Sequence, residues 1–153
     1  FSQANMRFFT LEWWRGDCDD AAEVFARYNA HFSSIVPKLP EALVDFQSRF
    51  TLHDSEVKRI TCDFLKKEVD LEFDGWDQSL SYPVRYFLKF SGVTAFGQDF
   101  PKGKDFDSEL GDLGYWEFAL VPEGVEMQML FVSSAEFRIV FSGFAFQHVG
   151  TKA

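Results

Sequence analysis

His53, Asp54 and Ser55 stand in a row and are the three residue types of a hydrolase triad. Adjacent side chains of an extended chain point to opposite faces, whereas a triad needs groups converging from separate elements. The tripeptide is therefore read as a turn, in which the Asp54 or Ser55 side chain accepts a backbone N–H and ties a helix to a strand. The three histidines, His31, His53 and His148, share no metal-ligand spacing with one another or with the cysteines. Asp99, Asp105, Asp107, Glu109 and Asp112 supply hard oxygen ligands, but not in the order of a calcium loop. There is no glycine-rich phosphate loop, nucleophile elbow or His-Glu-x-x-His helix. No motif selects a catalytic residue, and neither metal nor cofactor is expected.

The pattern that stands out is Glu68, Asp70, Glu72 and Asp74 alternating with Val69, Leu71 and Phe73. That is the period of a strand with one wet face. Carboxylates along one face repel unless cations lie nearby. A solvated strand that resists edge pairing by charge is one account. The other is a surface that steers and binds a basic partner, with the acids of the 97–114 segment (Asp99, Asp105, Asp107, Glu109, Asp112) completing the contact.

The elements that must position these residues follow from spacing. Thr10 is placed as the N-cap of a short helix, with Phe9 and Trp14 as a hydrophobic staple. Asp17 caps a longer helix whose apolar stripe is Ala21, Phe25, Tyr28, Phe32 and Ile35, ending at Pro37. A further helix starts near Pro40 with the stripe Leu39, Leu43, Phe46 and Phe50. From there the period becomes two. Strands are expected around Ile60–Cys62–Phe64, Val69–Phe73, Tyr86–Phe90, Trp116–Val121, Val125–Phe131 and Phe137–Phe141, and short turns make them an antiparallel meander. The expected fold is α+β, with N-terminal helices on one face of a single, mostly antiparallel sheet of about six strands. Residues 97–114 are expected to be an irregular loop.

The 153 residues are enough for one domain with a sizeable core, and 46% apolar content excludes a disordered chain. Phe1–Asn5 precede Met6 and resemble an expression-tag remnant, so the domain is taken as 6–153. Twenty phenylalanines fit a sheet core, or in part an aromatic-lined pocket between helices and sheet. Fifteen basic against twenty-four acidic residues leave a formal charge of −9, which argues against nucleic acid and anionic membrane as partners and permits a basic protein. No apolar run reaches the length of a membrane span, and no signal peptide is recognised. Cys18 and Cys62, far apart and without a Cys-x-x-Cys, read as free thiols of a cytoplasmic protein. Oligomeric state is left open.

Met6-Arg7-Phe8-Phe9-Thr10-Leu11-Glu12-Trp13 resembles the M-[KR]-[YF]-F-T-x-E-W opening of an uncharacterised bacterial family. Leu52-His53-Asp54-Ser55 is similar to that family's L-H-D-[SA] junction, and Phe90-Ser91-Gly92-Val93 and Phe137–Phe141 are similar to its later elements. The resemblance implies helices followed by a strand-rich half, and carries no activity with it. By type, the acidic α+β chain also resembles immunity proteins, which neutralise cognate toxins. The expectation is a protein-binding domain, of immunity-protein type and directed at a basic toxin. The alternative is a small-molecule-binding or enzymatic domain using the aromatic pocket.

Overall fold

The computed structural model describes residues 6–101 and 109–150. The chain is α+β, with α1 (Leu11–Arg15), α2 (Ala21–Ile35), a 3-10 turn (Val36–Lys38) and α3 (Glu41–Arg49) preceding the strands. These are β1 (Glu56–Asp63), β2 (Glu68–Trp76), β3 (Pro83–Ser91), β4 (Ala95–Asp99), β5 (Leu113–Val121), β6 (Gly124–Phe131), β7 (Glu136–Phe141) and β8 (Gly143–Gly150). They do not form one six-stranded sheet. Two four-stranded antiparallel sheets are present, ordered β1-β2-β3-β8 and β4-β7-β6-β5. Alternation reveals that a strand has one buried face but not which layer buries it, and two facing sheets satisfy the pattern as well as helices on one.

Their inner faces share one core. Val69, Leu71, Phe73, Tyr86, Leu88 and Phe90 from the first sheet meet Phe118, Met127, Met129, Phe131, Ile139 and Phe141 from the second. The sheets are joined by strands that change layer. Phe90-Ser91-Gly92 leads β3 out of the first sheet towards β4 in the second, and Phe141-Ser142-Gly143 leads β7 out of the second into β8 in the first. The two tripeptides face each other: Ser142 N donates to Ser91 O at 3.0 Å, and the Phe90 and Phe141 rings lie edge to face, 4.8 Å apart. Each glycine makes room for the other corner's serine. A Cβ on Gly92 would fall 2.0 Å from Ser142 Oγ, and one on Gly143 would fall 2.2 Å from Ser91 Oγ. Gly92 also has φ +59°, a backbone that side chains disfavour.

The helices divide their work. α3 packs against β8 at the end of the first sheet, with Phe46 against Tyr86, Phe144 and Phe146. α1, α2 and Met6–Phe9 form a second cluster on the other face of the β5–β6 sheet, where Met6, Phe9, Val24 and Tyr28 cover Leu130. α2 also serves the free edge of β5: Phe118 N–H donates to Tyr28 Oη at 3.0 Å, and His31 Nε2–H donates to Phe118 O at 2.8 Å. An edge strand left with unpaired groups is a template for unwanted pairing, and here two side chains occupy it.

Several local expectations are corrected. Thr10 does cap α1, its hydroxyl accepting from Trp13 N at 3.1 Å. α2 starts at Ala21 after a left-handed Asp20, not from an Asp17 cap, and Val24 is buried while Phe25 is partly exposed. Cys62 and Phe64 leave the core, because β1 is an edge strand and Phe64 sits in the β1–β2 turn. β4 (Ala95–Asp99) runs into the 97–114 stretch expected to be irregular, β5 starts within its far end at Leu113, and β8 is a strand that the spacing does not predict. No helix among the described residues is long and apolar enough to cross a membrane.

Candidate functional site

The acidic row lies on an inner strand. β2 is flanked by β1 and β3, so Glu68, Asp70, Glu72 and Asp74 occupy the middle of the solvent face, not an edge that charge would protect. Register sets Asp70 opposite Lys89 and Asp74 opposite Arg85. Lys89 Nζ lies 3.6 Å from Asp70 and 3.9 Å from Glu68, while Arg85 Nε lies 2.7 Å from Asp74 and 3.7 Å from Glu72. The row is thus a ladder of cross-strand ion pairs, held in register but weakened by solvent screening.

Negative charge is in excess at one end of the ladder. Asp54, Glu56, Asp74 and Asp112 line a cavity of about 550 Å³ together with Arg85, Trp76 and Pro83. Lys58 approaches Glu56 at 3.1 Å and Asp74 at 3.9 Å. The Asp112 carboxyl is held above the ordinary aspartate range, first by burial and then by Glu56, Asp54 and Glu109. Glu109 is exposed beside it. Asp99 ends β4 in the other sheet, where it neighbours Glu136, so it does not join this group. Asp105 and Asp107 lie outside the described residues. Among the described residues no cluster of three or more His, Cys, Asp or Glu is placed to hold a metal ion.

The His53–Asp54–Ser55 junction is a turn, with Asp54 at φ +61° and Ser55 N donating to Leu52 O at 3.1 Å. The hydroxyl that accepts a backbone N–H is neither expected side chain: Thr51 Oγ1 takes it from His53 N at 3.1 Å. Ser55 pairs with Leu113 through its backbone, linking the start of β1 to β5. Its side chain is fully buried, and Oγ has no hydrogen-bond partner among the described residues. His53 Nδ1 donates to Gly114 O at 2.9 Å, and Nε2 faces Asp54 Oδ1 at 3.5 Å. Neither ring nitrogen addresses Ser55, so the three side chains do not assemble a triad.

His53 also forms part of the wall of a second cleft, of about 460 Å³, between α2, α3, the β2–β3 loop and β5. Phe9, Phe25, Tyr115 and Trp116 provide aromatic surface there. Asn29, Gln47 and Gln78 provide carboxamides, and Thr51 a hydroxyl. Among the described residues no Asp, Glu, Lys or Arg lines it. Gln47 Oε1 accepts from the Trp116 indole at 3.1 Å, and Gln78 Nε2 donates to Ser48 O at 3.2 Å. Burial, and then the Cys18 thiol 3.9 Å away, push the Tyr115 phenol up to about 12. Motif searching passes over these carboxamides. The signal was nonetheless present, since Asn29 follows Tyr28 and Gln47 follows Phe46, each one step beyond a helical stripe.

Buried charge was also unexpected. Glu117, 5% exposed, takes backbone N–H groups from Arg7, Phe8 and Phe9, at 3.0 Å from Phe8 and 3.2 Å from Phe9. Glu126 pairs with Arg138 at 2.6 Å. Their alternation with apolar neighbours suggests a wet face, but Met6–Phe9 and α2 cover that face.

The chain matches no known protein-family profile and no curated protein.

Proposed function

We propose that this protein is a binding domain for a basic protein partner, acting as an immunity protein does by occluding a basic toxin. The observation that supports this is the cavity lined by the four carboxylates of Asp54, Glu56, Asp74 and Asp112, set against Arg85 and Lys58, both of which approach Asp74. The Asp112 carboxyl is raised first by burial and then by Glu56 and Asp54, and a lysine or arginine of the partner entering the cavity would offset both. Trp76 on its wall would give an incoming guanidinium a ring to stack on. The ladder from Glu68 to Glu72, already paired, would contribute register rather than attraction. Phe64 and Leu65, 90% and 95% exposed at the β1–β2 turn, add apolar contact of the kind that anchors protein interfaces. A cytoplasmic setting is consistent with the free thiols Cys18 and Cys62.

The test begins with affinity capture from the native source and identification of the partner. Association is then compared for the wild type, Asp54→Asn/Asp112→Asn and Glu68→Gln/Asp70→Asn/Glu72→Gln. The first variant should slow association about tenfold and flatten its salt dependence, and the second should do less. A partner bound equally well by the Asp54/Asp112 variant would refute the assignment of the cavity.

A further inference from the structure

We infer that the cleft between α2, α3 and β5 is a ligand site of a different chemistry from the acidic cavity, and that it takes a neutral, planar heterocycle of the nucleobase type. Three observations carry this. The first is charge. A quarter of the chain is Asp, Glu, Lys or Arg, yet among the described residues none of these lines the cleft. Among the described residues a phosphate or carboxylate would find no lysine or arginine there, only the His53 imidazole, which already faces Asp54, and an ammonium would find no carboxylate.

The second is shape and surface. Phe25, Tyr115 and Trp116 present ring surface, backed by the buried Phe9, and about 460 Å³ falls within the range of small-molecule sites. Stacking on aromatic faces is the main source of affinity for unpaired bases.

The third is the hydrogen-bonding edge. Gln47 uses its carbonyl on the Trp116 indole, which leaves its NH₂ as a donor. Gln78 uses its NH₂ on Ser48 O, which leaves its carbonyl as an acceptor. The two carboxamides are held in opposite senses by their protein partners and offer a fixed donor and a fixed acceptor on one cleft. An adjacent acceptor and donor on a ring edge is what a nucleobase presents and what Asn and Gln read elsewhere. A sugar offers hydroxyls but no π face.

The test is an NMR titration of the whole chain, following the Trp116 indole N–H and the Gln47 and Gln78 side-chain NH₂ signals. The probes are adenine, adenosine, cytidine, uridine and inosine, their 5′-monophosphates, and glucose. At least one base or nucleoside should shift these signals saturably, with its monophosphate binding about tenfold more weakly and glucose not binding. Gln78 sits on an exposed loop, so Gln78→Ala should keep the melting temperature while weakening binding about fivefold. The inference is overturned if no base or nucleoside gives a saturable shift. It is equally overturned if the monophosphates or glucose bind as well, or if Gln78→Ala leaves affinity unchanged.

Discussion

At the scale of single residues, buried acids say more about this protein than exposed ones. Glu117 holds three successive N–H groups of the segment before α1, an arrangement in which the carboxylate charge strengthens every bond. Glu117→Gln keeps one carbonyl oxygen and loses the charge. It should cost about 2 kcal/mol in urea unfolding and speed amide exchange at Arg7–Phe9 more than in the sheets. Asp112 is the opposite case. Its carboxyl is raised in the folded chain, so the folded state binds the proton more tightly and the charged form opposes folding at neutral pH. Asp112→Asn should therefore raise the melting temperature slightly at pH 7, with the gain shrinking as pH falls into the range where the wild-type carboxyl is protonated. Thermal melts across that range decide it. Neither residue could be singled out beforehand. Glu117 looks like any outward residue of an alternating strand, and Asp112 like any loop acid, until the segment covering one and the carboxylates surrounding the other are in place.

At the scale of elements, the strands with one clean buried face were the legible ones. β2 and β3 carry alternation strong enough to place them, and β6 was placed by the same alternation although both of its faces are buried. β4 escaped because Gly97, Gln98 and Asp99 are exposed on a short edge strand, where burial imposes no period. The layer change was written in the Phe-Ser-Gly tripeptide that occurs at both corners, but a tripeptide shows its purpose only once the two copies are seen to face each other. Gly92→Ala should cost about 2 kcal/mol, from its left-handed backbone and from the clash with Ser142. Ser142→Ala in the same chain should recover part of that, the clash but not the backbone strain. Additive losses in the double-mutant cycle would show that the corners do not interlock. For α3, Phe46→Ala should cost about 3–4 kcal/mol, because the ring touches Tyr86, Phe144 and Phe146 and no neighbour is free to fill the space.

For the molecule as a whole, three tyrosines tie stability to alkaline pH. Burial, as the leading cause in each case, raises the phenols of Tyr28, Tyr86 and Tyr115, the last to about 12. A folded pKa above the unfolded one preserves stability below the unfolded value and loses it as pH rises towards the folded value. The urea midpoint should thus hold up to the ordinary tyrosine range near 10.0 and fall above it, and Tyr115→Phe should reduce the fall. α+β class and antiparallel pairing were readable from the chain because both are local consequences of period. Two layers in place of one, and the cleft and cavity they frame, depend on contacts between residues distant in sequence. The corners also decide how the molecule comes apart. β3–β4 and β7–β8 each have one end in either sheet, so neither sheet can peel away while the other persists. Every opening large enough to free Leu88 must also tear at Ile139, and the domain has a single seam where a simple sandwich has two separable leaves.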